Sequence, residues 1–411
     1  MKHIVQASRY LLALTFIFSG FVKGVDPLGS AYKFHDYFLS FHMGFMEPLT
    51  LFLSFVLCAS ELFIGLLLLF GIRLRLASLG ALVFMGIFTP LTLYLAIFNP
   101  VSDCGCFGDA VHLSNWETFL KNLVFLAAAI LLFMKRETVV IAHRKNFEVA
   151  AFLVLLAVSF IPPIDGYTHL PAIDFRPYKV GVSIPESMAV PPGVPVDEYK
   201  TTLYYEKNGV VKQFDESNYP WQDSTWRFVD SKSVLVKKGY TPPITNFSLI
   251  DRHGFDVTDS ILKWTGYYFL AIAPRIDKTS KKSVEKLNEL YFRARELGYG
   301  FACVTASPQG DIDLFVGATG AAFPFLNADE ITLKTIVRAN PGLMLLYQGR
   351  IIGKWHHNHL PDAAYLNGDM LSAQMLKLHR MAVSRLSYLI VSLLALAFLG
   401  YRMGIERYTR L

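Results

Sequence analysis

The residues best suited to do chemistry are two cysteines one residue apart, in the string Asp103-Cys104-Gly105-Cys106-Phe107-Gly108-Asp109. Thiols at i and i+2 close a small, strained ring, and strain makes a disulfide easier to reduce. That suits exchange better than stapling. In such a pair a low-pKa thiolate attacks and its neighbour resolves. Gly105 and Gly108 allow turns that other residues resist. Ser114-Asn115-Trp116-Glu117 has the pattern of a capping box, and the dipole of a helix opening there favours a thiolate nearby, whereas Asp103 and Asp109 oppose it. Two other readings stay open: an inert disulfide closing the loop, and a metal site drawn from Cys104, Cys106, Asp109 and His112, whose spacing is poor for tetrahedral zinc.

The elements that must position this loop are membrane spans. Hydrophobic residues make up 53% of the 411-residue chain and charged residues 18%, and the mean hydropathy is +0.36. The apolar excess sits in blocks at the two ends. Six runs approach the roughly 20 apolar residues a spanning helix needs: Ile4–Val22, Leu49–Ile72, Leu76–Phe98, Phe119–Met134, Val149–Ile164 and Val383–Tyr401. The first is read as a retained span, not a signal peptide, because it lacks a small-residue cleavage site. Basic residues flank every second connection: Lys2 and Arg9, Arg73 and Arg75, Lys135 to Lys145, then Arg402 to Arg410. By the positive-inside rule both termini are cytoplasmic, and the Cys104 loop and Asp165–Met381 lie outside. The net charge of +6 clusters beside apolar runs, so the expected partner is the lipid bilayer and not nucleic acid.

Ionisable residues within spans are functional candidates by default. Glu61 lies mid-span and Lys23 at a span end. They can pair to fix helix register, or Glu61 can serve a proton or quinone step. Cys58, one turn before Glu61, reads as a packing residue. Gly65 and Gly71 are expected to let helices approach closely.

The outer region divides in two. In residues 165–240, Thr201–Tyr205 and Val210–Phe214 flank an Asn208-Gly209 hairpin signal, and Val234–Lys237 is a further strand candidate, so a small β module is expected. From Phe247 to Pro361 the pattern is strand Tyr267–Ala273, helix Lys281–Gly298, strand Phe301–Ala306 and a hairpin Leu343–Tyr347 with Ile351–Trp355. Cys303 reads as a core residue. Trp355-His356-His357-Asn358-His359 invites a metal reading, but three adjacent histidines do not easily face one ion, and a solvated loop is expected.

Two resemblances follow. Arg9-Tyr10-Leu11-Leu12, Phe18 to Lys23 and Asp26-Pro27 resemble the first span of DoxX-like membrane proteins. Asp103 to Gly108 with Trp116 and Asn122 resembles their methylamine-utilisation MauE branch, over roughly residues 4–140. The resemblance implies a four-helix membrane core tied to periplasmic thiol-disulfide chemistry, with Cys104 and Cys106 as its site. Residues 246–361 resemble thioredoxin-like domains, with Pro341 at the family's cis-proline. There Pro274-Arg275-Ile276-Asp277 stands where Cys-x-x-Cys would be, so this domain cannot run dithiol exchange alone. The resemblance leaves it either binding a partner near Asn340 and Pro341 or acting as a scaffold.

The expected architecture is an α-helical membrane bundle carrying an extracytoplasmic α/β domain. Its parts are a DoxX/MauE-like domain (1–140), a fifth helix (146–164), the β module (165–240), the thioredoxin-like domain (241–381) and a final helix (383–402). The expected function is thiol-disulfide cycling at Cys104 and Cys106 on the periplasmic face of a bacterial inner membrane, with Asp103, Gly105, Gly108, Asp109, Glu61 and Lys23 in support. No cofactor is fixed by the sequence; a membrane quinone is one acceptor that the location allows. The partner would be a periplasmic or envelope protein. The alternative is a non-catalytic envelope assembly or anchoring factor. A transporter has little support, since no broken-helix repeat is visible.

Overall fold

The computed structural model describes residues 1–366 except 102, 140–144, 196–197, 208, 216, 221–222, 224 and 238; beyond 366 it describes only 372, 376 and 383. All but the first residue of the Val383–Tyr401 run therefore lies outside the described residues.

Helix α1 (Lys2–Val25), α2 (Pro27–Ser40), α3 (Thr50–Phe70), α4 (Leu74–Phe98), α5 (Asn115–Lys135), α6 (Lys145–Ser159) and α7 (Ile161–Thr168) form the first part of the molecule. Among the described residues, five helical stretches are long and apolar enough to cross a membrane: α1, α3 with the 3-10 turn before it, α4, α5 with the turn after it, and α6 continued by α7. With 24 residues, α1 rises about 36 Å at ~1.5 Å per residue, enough to cross a core of roughly 30 Å.

Close packing of α1 on α3 depends on two glycines. A Cβ on Gly65 would lie 2.6 Å from the Ile17 amide, and one on Gly20 would meet the backbone of Leu62 and Cys58. The expected role of Gly65 is thus observed. Gly71 is different: it ends α3 with φ +64, the left-handed cap that glycine adopts without a steric penalty. The capping box forms as expected, with Ser114 Oγ accepting from the Glu117 amide (3.3 Å) and the Ser114 amide donating to Glu117 Oε2 (2.8 Å).

Helix α2 was not anticipated. Asp26 caps it by accepting from the Gly29 amide (3.0 Å), and Pro27 occupies its first turn. At the opposite end of the bundle the Arg73 amide donates to Glu148 Oε1 (3.1 Å). The α1–α2 junction, the loop between α4 and α5, and the soluble part gather at the same end.

After α8 (Ile184–Met188), strands β1 (Glu198–Lys207), β2 (Val210–Asp215) and β3 (Arg227–Lys237) form an antiparallel sheet ordered β2-β1-β3. Lys207 pairs with Val210 around the expected hairpin. Next come α9 (Thr258–Leu262), β4 (Tyr267–Ile272), α10 (Val284–Glu296), β5 (Gly300–Thr305), α11 (Gln309–Thr319), β6 (Phe325–Asn327), α12 (Glu330–Ile336), β7 (Gly342–Tyr347) and β8 (Arg350–His356). Their sheet runs β6-β5-β4-β7-β8, with β4, β5 and β6 parallel and β7 and β8 antiparallel. The Asn340–Pro341 peptide entering β7 is cis. A parallel β-α-β followed by an antiparallel terminal hairpin is the thioredoxin-like plan read from sequence, with α11, β6 and α12 inserted. Strand β4 faces both ways: Phe269 and Ala271 enter one core with Leu287, Leu290 and Trp355, and Leu270 and Ile272 enter the other with Leu333 and Met344. Cys303 is 2% exposed in the first of these, and burial pushes its thiol pKa up.

Candidate thiol site

The loop between α4 and α5 is closed at its base. Asn99 ends α4 at φ +48, and the Asn115 side-chain amide donates to Asn99 Oδ1 (2.8 Å) and to the Val101 carbonyl (3.0 Å). Gly105 (φ +65) and Gly108 (φ +53) supply backbone conformations that side chains resist, and the Gly108 amide donates to the Gly105 carbonyl (3.0 Å). Two side chains hold the cysteine backbone from different helices. Tyr37 of α2 donates its hydroxyl to the Cys104 carbonyl (2.9 Å), and Ser19 of α1 lies 2.7 Å from the Cys106 carbonyl.

The two thiols are unbonded and unequal. Cys104 is buried and Cys106 half-buried. The two thiols interact within the loop. That interaction, aided by Lys121 and Lys23 and opposed by burial, lowers the Cys106 pKa to about 7. The same interaction and burial hold Cys104 well above the usual thiol range. Cys106 is therefore the more readily ionised thiol of the pair. The favourable charge comes from Lys121 and Lys23.

The supporting residues fall around this loop. Lys23 Nζ pairs with Glu61 Oε1 at 2.6 Å, both side chains being almost fully buried, and Ser19 Oγ lies 2.8 Å from Glu61 Oε2. Asp103 is paired with Lys33 of α2 (3.1 Å) and Asp109 with Arg338 (3.0 Å). Their opposition to a thiolate, expected from sequence, is thereby offset. Among the described residues no group of His, Cys, Asp and Glu gathers to hold a metal, and Asp109 is turned to Arg338 instead.

Arg338 joins the two parts of the molecule. It lies three residues before cis-Pro341 and is buried. Its Nε donates to Asp26 (3.0 and 2.8 Å), its Nη2 to Asp109, and its Nη1 to the Lys334 carbonyl (2.5 Å). The Arg338 charge holds the buried Asp26 carboxyl below its ordinary range, against the effect of burial. A chamber of about 230 Å³ lies between the backbone of Gly105 and Gly108 and helix α12.

Asn340 and Pro341 are not brought to the cysteines. Asn340 lines a cleft of about 890 Å³ whose far wall is α2 and the 3-10 turn Gly44–Leu49. Its polar groups are taken by the loop that replaces Cys-x-x-Cys: Nδ2 donates to the Arg275 carbonyl (2.8 Å), Oδ1 accepts from Thr279 (3.0 Å), and its carbonyl accepts from the Ser280 amide (3.2 Å). The histidine tract is only in part a solvated loop. His356 is 4% exposed and His357 half-buried, whereas Asn358 and His359 are exposed; His359 stacks on His169 at 4.5 Å, and Asn358 donates to the Thr168 carbonyl (3.0 Å). The tract seals the end of β8 against α7, and burial pushes the His356 pKa down to about 3.

Sequence reasoning missed Ser19, Lys33, Tyr37, Lys121 and Arg338. Lys121 carried a usable signal, since it is an ionisable residue inside a predicted span. Arg338 carried none.

Residues 1–135 match the family described as methylamine utilisation protein MauE, and residues 199–238 match a domain of unknown function. No curated protein matches the chain. Among solved structures, the thioredoxin domain of a thiol-disulfide oxidoreductase from Bacteroides vulgatus is 16% identical, with 32% of this chain and 91% of that one covered and a TM-score of 0.24. A peroxiredoxin Q from Xanthomonas campestris is 18% identical, covering 33% and 91%, with a TM-score of 0.23. The first third of the chain is thus similar to the MauE family, and it is the part that holds most of the helices long and apolar enough to cross a membrane.

Proposed function

We propose that this protein is a membrane thiol-disulfide redox protein cycling Cys104 and Cys106. The observation that carries the proposal is the asymmetry of the pair, in which Cys104 is buried and Cys106 is half-buried beside Lys23 and Lys121. In the reducing direction, Cys106 thiolate attacks a partner disulfide and forms a mixed disulfide, releasing one partner thiolate. That thiolate is protonated as Cys104 loses its proton. Cys104 sulfur then attacks Cys106, releasing the second partner sulfur as a thiolate that takes its proton from water and leaving the Cys104–Cys106 disulfide. Oxidation of a partner dithiol is the same path reversed. Lys23 and Lys121 stabilise the thiolate, Tyr37 and Ser19 hold the loop, and the Lys23–Glu61 pair fixes α1 against α3 beneath it.

The distribution of Lys and Arg supports placing the loop and soluble part on the periplasmic face of a bacterial inner membrane, where disulfides persist. The membrane half would then be a DoxX-like four-helix core, and the cleft beside Asn340 would receive a segment of an envelope protein. One observation favours the second reading, an assembly factor: the thioredoxin-like domain lacks a thiol pair of its own and spends Arg338 on docking to Asp26 and Asp109.

Partner trapping separates the two readings. A Cys104→Ser variant should accumulate a mixed disulfide through Cys106, and Cys106→Ser should not. Full cellular function of the Cys104→Ser, Cys106→Ser double variant would leave the assembly reading in possession.

A further inference from the structure

Cys106 shares one small pocket, of about 50 Å³, with Ser19, Lys23, Glu61 and Lys121. Lys23 comes from α1, Glu61 from α3 and Lys121 from α5, whereas α4 brings only Phe84, Met85 and Phe88. The other titratable neighbours are Cys104, Tyr37 of α2, and Cys58 one turn before Glu61. Glu61 is one hydroxyl away from the thiol loop: Ser19 Oγ lies 2.8 Å from Glu61 Oε2 and 2.7 Å from the Cys106 carbonyl oxygen. Its other oxygen, Oε1, is 2.6 Å from Lys23 Nζ, and both side chains are nearly fully buried. Lys121 Nζ sits 4.1 Å over the ring of Phe107, the residue after Cys106. With a disulfide or two neutral thiols, this pocket holds two ammoniums and one carboxylate; with a Cys106 thiolate it holds two charges of each sign. Buried charges are costly unless paired. Glu61 takes Lys23 as its partner, so the thiolate has Lys121 as its counter-ion and meets Lys23 only after Glu61 has neutralised it.

We propose that Glu61 is a positioning residue that sets the redox poise of the Cys104–Cys106 pair, by holding Lys23 and so limiting how strongly the pocket stabilises the Cys106 thiolate. The inference rests on the redox reading above and adds one residue to the same site. It gives the buried ion pair a task beyond fixing α1 against α3. Glu61 acts through Lys23 and does not touch the reacting sulfur atoms. Without it, Lys23 and Lys121 would both serve the thiolate, and the dithiol state would gain at the expense of the disulfide. Without Lys23, the Glu61 carboxylate would oppose the thiolate directly.

The test uses the full chain in nanodiscs and two readouts: the pH midpoint of Cys106 alkylation by iodoacetamide, and the dithiol-to-disulfide ratio in dithiothreitol buffers. In Glu61→Gln the midpoint should fall by at least about one pH unit, as expected when a like charge is removed beside a thiolate. A thiolate that forms more readily stabilises the dithiol state above its midpoint, so the ratio should rise roughly five- to tenfold between about pH 7 and 8. Lys23→Met should move both readouts the other way. The double variant Lys23→Met, Glu61→Gln removes a neutral pair and should return both towards the wild type. A merely structural role predicts the opposite sign for Glu61→Gln, because a loosened, hydrated loop lets the thiol drift up towards its ordinary value near about 8.5. A midpoint that rises or stays in Glu61→Gln therefore overturns the inference. Should Glu61→Gln misfold, comparing Lys23→Met with the double variant reads the Glu61 charge alone: a higher midpoint with Glu61 present supports the assignment, and equal midpoints overturn it. A wild-type pair that never equilibrates with dithiothreitol overturns the redox reading, while the alkylation midpoints still judge Glu61.

Discussion

Removing Arg338 should undock the soluble part and loosen the cysteine loop together. In Arg338→Met the stem remains, but Asp26 loses both bonds from Nε, at 3.0 and 2.8 Å, and Asp109 loses its bond at 3.0 Å. The side chains of Arg338 and Asp26 are 7% and 15% exposed, so Asp26 would be left as a buried, uncompensated carboxylate. Breaking such a pair costs roughly 3–5 kcal/mol. The Asp109 contact, at 33% exposure, adds little, on the scale of up to about 1 kcal/mol for solvent-screened pairs. The assay is a double-mutant cycle of Arg338→Met with Asp26→Asn, read by thermal unfolding in nanodiscs and by protease cleavage at the seam. The double variant should be more stable than Arg338→Met alone, because no unpaired charge remains. If Arg338→Met unfolds and is cleaved like the wild type, or if the two effects simply add, the clamp is not what joins the two parts.

The alkylation rate of Cys106 should rise through a midpoint near pH 7 as its thiolate forms, with Cys104 unreactive over the same range; equal reactivity of both thiols would contradict the assigned roles. Lys121→Met removes one of the charges favouring the thiolate, so that midpoint should move upward in an otherwise folded protein. Asp26 has a folded pKa below its unfolded one, so it contributes stability above the ordinary carboxylate range, near about pH 4, and loses it as pH falls through the folded value; protease sensitivity of the seam should rise only in that acid window. Gly65→Leu forces side-chain atoms onto the Ile17 backbone and should cost at least ~1–3 kcal/mol as overpacking, visible as a lowered melting temperature, whereas Gly86→Leu, with open space around it, should be neutral.

The spans, the capping box, the β-α-β pattern and the position of cis-Pro341 were legible because each is written in local periodicity or in a short turn signal. Helix α2 was less so: Asp26-Pro27 announces its start, but its mixed face reads as a loop when only spanning runs are sought. Gly71 shows the limit of a residue type taken alone, since a glycine near a helix end serves a cap as readily as a close approach. Around the thiols, the cysteines, Lys23 and Glu61 were evident as reactive groups or as charges out of place. Tyr37, Lys33 and Arg338 were not, because their roles exist only through contacts made over 67, 70 and 229 residues of chain. The solvated reading of the histidine tract holds for Asn358 and His359 and fails for His356, because nothing local shows that this residue is buried.

The central claim is that Cys104 and Cys106 interconvert between dithiol and disulfide. Its most direct test is a redox titration of the full chain in nanodiscs, with thiol trapping and intact-mass detection, repeated on protein trapped directly from cells. The account predicts a single two-electron transition localised to residues 104 and 106, with Cys58 and Cys303 unlabelled until the protein is denatured, and both redox states populated in cells. A pair that remains in one state across the titration and in cells would contradict it.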